Sequence, residues 1–285
     1  MKQISKQLME SYRKDSEPFI TKTELLFPER ENVFRELKLL RELFFPNYWN
    51  SGLITKNKYE LEKKLKELKK IIFSGVYSFL LEKEKSDKIS DFVLEELLEI
   101  REKLKKDIEA AFKGDPAAKN YAEIIRTYPG FTAILIQRVA NIIYSLGATS
   151  YARELTEQVH SFTGIDIHPG AKIGEYFFID HGTGVVVGET SEIGNNVRLY
   201  QSVTLGALHF AKEKGGILKK DYKRHPTLGD NVVIGAGAKI LGPVKIGSNV
   251  NIGANSWIEE DVSDYTTVLI SEHPKLIKKK KEKKE

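Results

Sequence analysis

Large aliphatic side chains recur at every sixth position near the C-terminal end of the chain. The six positions are Leu228, Ile234, Ile240, Ile246, Ile252 and Ile258. An α-helix returns to the same face every 3.6 residues and a β-strand every two, so a period of six fits neither. It is typical of a solenoid of short strands in which each turn stacks an aliphatic on the turn below. Three such repeats make one triangular coil, and glycines such as Gly229 and Gly235 allow the chain to bend at the corners.

The same period occurs upstream in two runs that are out of phase with each other. The first run is Ile167, Ile173, Ile179 and Val185, and the second is Val187, Ile193, Leu199 and Leu205. Between Leu205 and Leu228 the sequence is polar, rich in lysine and too long for one corner. The pattern therefore predicts a β-helix over 166–262 with an excursion loop over 206–227, and such loops commonly carry functional residues.

The chain before the repeats has the apolar periodicity of helices. The predicted helices begin near Asn32, cover Lys58–Lys83, run from Ser90 to Lys113, run from Pro129 to Gly147, and extend from Ser150 to Phe162. Ser90 is expected to cap its helix, and Phe79 to lie on an inner helical face. The sequence thus predicts an α+β chain: an all-helical domain over 1–165, the β-helix, and a C-terminal segment with a lysine-rich tail over 263–285.

The net charge says little about partners. Lys and Arg number 45 against 40 Asp and Glu, but six lysines and two glutamates lie in the last eight residues, so +4 of the net +5 belongs to the tail. A nucleic-acid partner is therefore not expected. The absence of cysteine excludes disulfides, thiolate metal sites and a cysteinyl intermediate. No stretch has the apolar core of a signal peptide or the length of a membrane span, so a cytoplasmic enzyme is expected.

His181 is the strongest candidate for chemistry. It follows the inward-facing Ile179 by two residues, so it is expected near a corner, pointing outward. Asp180 is adjacent, and Asp166 lies fifteen residues earlier, close to the length of one coil, so stacking brings it alongside. A carboxylate bound to one imidazole nitrogen fixes the tautomer and raises the basicity of the other nitrogen. The pattern therefore favours a general base acting on a hydroxyl group.

Two further features suggest recognition of an amino acid. Arg224 and His225 close the excursion loop just before Pro226, and arginine can hold a carboxylate by two parallel hydrogen bonds. Asp115 stands at the junction between two predicted helices. It is either a helix cap or an acceptor for a substrate ammonium group.

Several segments together resemble the serine O-acetyltransferase family. They are DIHPGAKIG at 166–174, DHGTGVVVGET at 180–190, QSVTLG at 201–206, RHP at 224–226 and IGAGAKILG at 234–242. In the helical part, DIEA at 107–110 and DPA at 115–117 resemble the same family, so the likeness covers roughly 105–262. Sugar and antibiotic acetyltransferases share the hexapeptide repeats, so the specific signal is the Asp-His pair together with Arg-His-Pro and the helical Asp-Pro-Ala.

The resemblance implies a left-handed β-helix, although right-handed crossovers are the general preference. It also implies transfer of an acetyl group from acetyl-CoA to the hydroxyl of L-serine, the first step of cysteine biosynthesis, without a metal. His181 would be the general base and Asp166 its orienting partner. The residues that would hold serine are Asp115, Asp180, Arg224, His225 and, less directly, Glu189. The residues that would line the acetyl-CoA channel are Gly206, Ala236, Gly237 and Ala254.

Two segments depart from the family pattern. Leu-Gly-Gly and a short glycine-rich loop usually precede Arg-His-Pro, whereas this chain has Leu205-Gly206-Ala207 and a longer loop whose lysines could reach the cofactor phosphates. Members that dock into cysteine synthase end in a buried isoleucine. This chain ends in Lys283-Lys284-Glu285, so that complex is not expected.

The flat faces of the prism predict a homotrimer with active sites between neighbours, alone or as a dimer of trimers. L-serine, acetyl-CoA and the feedback inhibitor L-cysteine are the expected small molecules. Two alternatives remain: a hexapeptide acetyltransferase for another hydroxyl or amine acceptor, and a zinc enzyme or a purely structural prism. Some hexapeptide proteins bind zinc through three histidines at subunit interfaces, but no histidine lies between His181 and His209 here.

Overall fold

The N-terminal part of the chain is helical and the C-terminal part is a three-sided parallel β-helix. The computed structural model describes residues 2–13, 30–49, 54–213 and 215–270. The helices are α1 Lys2–Tyr12, α2 Arg30–Phe44, α3 Pro46–Trp49, α4 Lys58–Leu80, α5 Lys83–Gly114, α6 Tyr121–Thr127, α7 Pro129–Ser145 and α8 Thr149–Thr163. The lysine-rich tail and the C-terminus, on which the expectation about cysteine synthase depends, lie outside the described residues.

The junction between α4 and α5 differs from the sequence prediction. Leu81 adopts a left-handed conformation, with φ of 58°, and its N–H donates to the carbonyl of Tyr77, which ends α4. Since α5 already begins at Lys83, Ser90 lies inside the helix and is not its cap. Its hydroxyl is buried and donates to the carbonyl of Asp87 at 2.8 Å. A serine in a helix can bond to the preceding turn in this way, so its presence alone does not mark a helix start.

The inner faces of these two helices follow the apolar stripe only in part. The stripe of α5 is buried as predicted, at Val93, Leu97, Ile100, Leu104, Ile108 and Ala111. Phe79 of α4, expected on the inner face, is 36% exposed. Leu68 and Ile72 of the predicted α4 stripe are buried as expected, and Val76 is buried beside them.

Short strands form the three flat faces of the β-helix. The strands are β1 Asp166–Ile167, β2 Lys172–Ile173, β3 Phe178–Ile179, β4 Val186–Val187, β5 Glu192–Ile193, β6 Arg198–Leu199, β7 Thr204–Gly206, β8 Thr227–Leu228, β9 Val233–Ile234, β10 Lys239–Leu241, β11 Lys245–Ile246, β12 Asn251–Ile252, β13 Trp257–Ile258 and β14 Thr267–Val268. Face 1 contains β1, β4, β7, β10 and β13 in this order; face 2 contains β2, β5, β8 and β11; face 3 contains β3, β6, β9, β12 and β14. Neighbouring strands within a face are parallel.

The six-residue period is confirmed as the inner lining of the prism. On face 1, parallel register stacks Ile167, Val187, Leu205, Ile240 and Ile258 in one column. Each of these side chains is buried. The prism extends beyond residue 262, where the sequence pattern ended it, because β14 pairs with β12 and completes face 3.

The helical domain covers the open end of the first coil. That coil has no coil before it, so its outer backbone groups need partners from elsewhere. Arg138 of α7 donates to the carbonyls of Ile173 and Gly174 at 3.2 and 2.7 Å. Arg138 also forms a buried two-pronged ion pair with Asp107 of α5, at 2.8 and 2.9 Å, and Asp107 accepts the N–H of Phe177 at 2.9 Å. These bonds set the orientation of α5 and α7 on the prism.

Candidate active site

Two corners of the β-helix, on either side of face 1, collect polar side chains. The His181 corner comprises the turns that lead from face 3 to face 1, at 180–185, 200–203, 235–238 and 253–256. The Arg224 corner comprises the connections that lead from face 1 to face 2, at 168–171, 188–191, 207–226 and 242–244. Most candidate site residues divide between these two corners; the exceptions are Asp115 after α5, Asp166 in β1 and Gly206 at the end of β7.

The first turn of the His181 corner is longer than those stacked on it. It has six residues, at 180–185, whereas each of the other three has four. The two extra residues explain the phase break in the repeat, since Val187 stacks on Ile167 across 20 positions. The break in the repeat therefore marks the turn that carries the predicted base.

The backbone of this turn turns the imidazole outward. His181 adopts φ of 59° and is 69% exposed at its side chain. Few residues other than glycine have positive φ, but Ser202 and Asn255 adopt it in the turns stacked at the same corner, so this conformation belongs to the corner geometry of the prism. Gly182 follows with φ of 89°, and a Cβ at that position would clash with Ile165. Glycine is therefore required for the chain to leave the corner.

Carboxylates surround His181. Asp180 is buried, and its Oδ1 lies 3.7 Å from Nδ1 of His181. Asp115, at the end of α5, accepts the hydroxyl of Tyr128 at 2.5 Å and the N–H of Ala117 at 2.7 Å. The Tyr128 bond lowers the pKa of Asp115, and the nearby His181 lowers it further. Burial and then the Asp115 bond raise the pKa of Tyr128, so the phenol hydroxyl remains a donor to the Asp115 carboxylate.

The Arg224 corner is organised around an ion pair. Arg224 donates to Oε2 of Glu189, and Tyr144 of α7 donates to Oε1 of the same carboxylate at 2.6 Å. Burial, followed by the Glu189 bond, raises the pKa of Tyr144 to about 12, so this hydroxyl remains a donor. The guanidinium also lies 5.7 Å from the ring centroid of Tyr222. Arg224 is therefore oriented from two sides.

His225 is buried beside this pair and is held as a neutral ring. Its Nδ1 accepts the backbone N–H of Thr190 at 3.1 Å, so the ring proton is on Nε2. Burial, and then the charge of Arg224, lowers the pKa of His225 to about 4. The ring packs so closely on Gly188 that a Cβ there would clash with it. The result is an uncharged donor next to a guanidinium.

Within one chain the structure does not bring Asp166 to His181. The carboxylate of Asp166 pairs with Arg153 of α8, Oδ1 to Nη1, at 2.9 Å. No hydrogen bond or ion pair joins Asp166 to His181 among the described residues. The physical reason is that β1 lies against α8, so Arg153 neutralises the carboxylate locally. Asp180 is the carboxylate nearer to the imidazole.

The small residues predicted beside acetyl-CoA do not all share a corner. Ala236, Gly237 and Ala254 lie in the upper turns of the His181 corner, where the N–H of Gly237 donates to the carbonyl of Gln201 at 2.9 Å. Gly206 ends β7 at the opposite edge of face 1, next to the Arg224 corner. Three of the four residues are therefore brought together.

Comparison with known proteins supports one family. The model "Serine acetyltransferase, N-terminal" matches residues 60–135, and "Bacterial transferase hexapeptide (six repeats)" matches residues 225–260. A serine acetyltransferase of Staphylococcus epidermidis is 51% identical over 167 residues, which cover 59% of this chain and 74% of that protein. The chain belongs to the serine acetyltransferase family.

Two further relatives from this family differ in how much of their own length matches this chain. The crystal structure of serine acetyltransferase isoform 3 from Entamoeba histolytica in complex with cysteine is 45% identical, with a TM-score of 0.79, and covers 98% of this chain and 94% of its own. A plasmid-encoded serine acetyltransferase of Synechococcus elongatus is 52% identical over 166 residues. That match spans 58% of this chain but about half, 52%, of the relative's length. The prism of this family is a left-handed parallel β-helix, as the resemblance implied.

Three residues of the candidate site escaped the sequence analysis. Tyr128, Tyr144 and Thr190 contact the candidate residues directly. Thr190 is the last residue of the segment 180–190 that carried the resemblance, so its position was visible but its role was not. The two tyrosines come from the helical domain, and nothing in their local sequence indicates which corner they reach.

One cluster of acidic and histidine side chains within the described part of the chain has metal-ligand spacing. It consists of Glu157, His160 and Asp166, whose donor atoms lie within 4.8 Å of one another. Arg153 pairs with both carboxylates, so one of their two negative charges is already compensated. Among the described helices, none combines the length and the apolar character needed to cross a bilayer.

Proposed function

We propose that this protein transfers the acetyl group of acetyl-CoA to the hydroxyl of L-serine, giving O-acetylserine. The observation that carries the proposal is the meeting of an outward-pointing His181 with the carboxylates of Asp115 and Asp180 at one corner. A substrate with an ammonium group and a hydroxyl group fits this arrangement, because the carboxylates attract the cation and the imidazole accepts the hydroxyl proton. The comparisons support the same activity, since the relatives are serine acetyltransferases.

The two corners supply complementary halves of an amino-acid site. Asp115 and Asp180 would hold the ammonium group of serine. Arg224 and His225 would hold its carboxylate, the first by charge-assisted bonds and the second through Nε2–H. Glu189 occupies part of the Arg224 guanidinium and so orients the remaining N–H groups.

These halves lie on different corners of one chain, so we propose that neighbouring chains complete the site. Three prisms around a threefold axis place the His181 corner of one chain beside the Arg224 corner of the next. Such head-to-tail contacts close into a ring, which is the homotrimer expected from the flat faces. Two trimers could then pair through the helical domains. In that arrangement the Asp166–Arg153 pair would also lie close to the chain boundary.

The chemistry requires one base and no covalent enzyme intermediate. His181 would take the seryl hydroxyl proton as the oxygen attacks the thioester carbonyl. The tetrahedral intermediate then collapses, the carbon–sulfur bond breaks, and the coenzyme A thiolate leaves and takes up the proton. A direct transfer suits a chain that contains no cysteine.

The donor would lie along the upper turns of the His181 corner. Ala236, Gly237 and Ala254 leave room there for the pantetheine arm. The exposed loop lysines, such as Lys219 and Lys220, offer positive charge for the cofactor phosphates. Gly206 would line the acetyl-CoA channel at the other edge of face 1, next to the Arg224 corner.

The test of this function is a substrate panel. Acetyl-CoA consumption is measured with L-serine, L-homoserine, L-threonine and sugars at equal concentrations. We expect L-serine to give the highest kcat/KM. A higher value with a sugar or another amine would replace this proposal with the alternative hexapeptide acetyltransferase.

Arg224→Lys is expected to raise the KM for serine more than the KM for acetyl-CoA. Lysine keeps the charge but loses the planar fork that matches a carboxylate, so the substitution should weaken the binding of serine and not that of acetyl-CoA. Steady-state kinetics with each substrate varied in turn measure both constants. The matched control is Arg35→Lys, a largely exposed pair with Glu67 on the helical domain, which should change neither constant. If only the acetyl-CoA constant moved in Arg224→Lys, the residue would belong to the donor site.

L-cysteine is expected to inhibit competitively with serine. It differs from serine only in the side-chain atom, so the same ammonium and carboxylate contacts would hold it. We expect a weaker effect on acetyl-CoA than is usual in the family, because the segment over 263–274 departs from the family pattern: Gly-x-Pro-Ala-Lys often follows the prism, whereas this chain has Ile270-Ser-Glu-His-Pro-Lys. The last four residues of the segment over 263–274 lie outside the described part of the chain. Cysteine titrations at varied serine, and then at varied acetyl-CoA, separate the two effects. Inhibition that rising serine fails to relieve would place cysteine at a different site.

A further inference from the structure

Thr190 joins the second coil of the prism to the end of the excursion loop. Its Oγ1 lies 3.0 Å from the backbone nitrogen of Arg224, 3.1 Å from that of His225 and 2.8 Å from Nδ1 of His225. Its backbone N–H donates to the same Nδ1, and its carbonyl accepts Nζ of Lys223 at 2.7 Å. One threonine therefore contacts three consecutive loop residues that lie 33 to 35 positions away in the sequence.

The direction of each bond follows from what the groups can donate. A hydroxyl has one proton and two lone pairs. The two backbone N–H groups can only donate, so they use the lone pairs of Oγ1. The hydroxyl proton is then left for Nδ1 of His225, which also accepts the N–H of Thr190. The full hydrogen-bonding capacity of Oγ1 is used, and both donors to Nδ1 leave the ring proton on Nε2.

The rest of the corner leaves the His225 ring little freedom. Gly188 lies against Cδ2 and Nε2 of the ring, where even a Cβ would clash. Nε2 has no hydrogen-bond partner among the described residues. It is also not fully shielded from solvent. The free N–H of His225 is therefore directed by bonds made at the opposite side of the ring.

We infer that Thr190 is the positioning residue for the pair Arg224 and His225, holding their backbone and directing the Nε2–H of His225 towards the substrate carboxylate. This inference rests on the proposed function, because it assigns the pair to serine. Thr190 itself does not contact the reacting atoms. Loss of its hydroxyl should weaken serine binding through both Arg224 and His225. This loss should therefore exceed the effect of removing an ordinary surface hydroxyl.

The decisive variants are Thr190→Val and Thr190→Ser. Valine keeps the shape of threonine but leaves two backbone N–H groups without their acceptor, whereas serine keeps the hydroxyl. For Thr190→Val we expect the KM for serine to rise about tenfold to hundredfold. The KM for acetyl-CoA and the kcat at saturating serine should stay within about twofold. Thr190→Ser should restore most of the serine affinity, and the exposed Thr149→Val on α8 should match the unaltered protein.

Nitrogen-15 NMR of histidine-labelled full-length protein reads the ring directly. In the unaltered protein the Nδ1 of His225 should give the shift of an unprotonated acceptor and Nε2 that of a protonated nitrogen. The signals are assigned by their loss in His225→Asn. In Thr190→Val the Nδ1 signal should move because one donor is gone, and in Thr190→Ser it should return. Circular dichroism and thermal unfolding establish that each variant is folded.

The outcomes separate this inference from the function on which it rests. An unchanged serine KM and Nδ1 signal in folded Thr190→Val would overturn the inference while serine acetylation stood. A ring proton on Nδ1 in the unaltered protein would overturn it as well, even if Thr190→Val failed to fold. If the unaltered protein acetylated no serine, the proposed function would be wrong. The role of Thr190 in serine binding would then be wrong as well, whatever the ring signals showed.

Discussion

Replacing His181 by alanine is expected to lower turnover by about 10²–10⁴-fold without unfolding the protein. The imidazole is exposed at its corner and contributes little to the core, so its loss removes the base and leaves the packing intact. The measurement is kcat with saturating serine and acetyl-CoA, accompanied by a thermal unfolding curve. Removal of a base that acts in the transition state should lower kcat, with little change in the KM for acetyl-CoA.

The control for this variant is His160→Ala, a histidine of α8 that pairs with Glu157. It should retain full turnover. More than about half of the original turnover in His181→Ala would contradict the assignment of the base. Asp166→Asn and Asp180→Asn, compared side by side, identify the orienting carboxylate. We expect both to lower turnover less than His181→Ala does.

Replacing Arg138 by methionine is expected to destabilise the protein by about 3–5 kcal/mol. The variant leaves the buried Asp107 carboxylate without its counter-ion and removes the donors to two carbonyls of the first coil. Burial already raises the pKa of Asp107, and Arg138 is the main group that opposes this rise. Urea unfolding monitored by circular dichroism gives the free energy of unfolding and the slope.

The matched control is Lys88→Met, which removes one partner of the exposed Lys88–Glu84 pair on α5. It should leave the urea midpoint unchanged, because exposed ion pairs contribute little. A loss of less than about 1 kcal/mol in Arg138→Met would mean that water or a neighbouring group replaces the guanidinium. The helical domain would then be attached to the prism mainly by apolar contacts.

The phase break in the repeat is a sequence feature that marks the turn of a candidate functional residue. The period of six predicted the inner columns because each column position depends only on spacing along the chain. The two extra residues before Val187 were visible as a loss of phase, and they mark the turn that exposes His181. The corner glycines and the His181 backbone conformation belong to the same local pattern.

Helix boundaries were predicted less well, for a local reason. The seven residues between Leu81 and Ile89 are all polar or charged, so apolar spacing could not show that α5 already begins at Lys83. Ser90 looked like a cap because serine is common at helix starts, but in the structure it bonds to the preceding turn of the same helix. Neither error affects the corners that carry the candidate site.

What the sequence by itself determined is the solenoid, its inner lining and the likeness to serine acetyltransferases, because each of these depends on spacing within short segments. Only the tertiary structure decided which candidates meet. Asp166 pairs with Arg153, Asp115 meets Tyr128 beside His181, and Thr190 reaches His225. Coil stacking joins residues about 20 to 35 positions apart, and helix docking reaches further, since Asp107 of α5 accepts the N–H of Phe177 from 70 positions away. Such contacts depend on how faces and helices pack in three dimensions, and no local pattern specifies them.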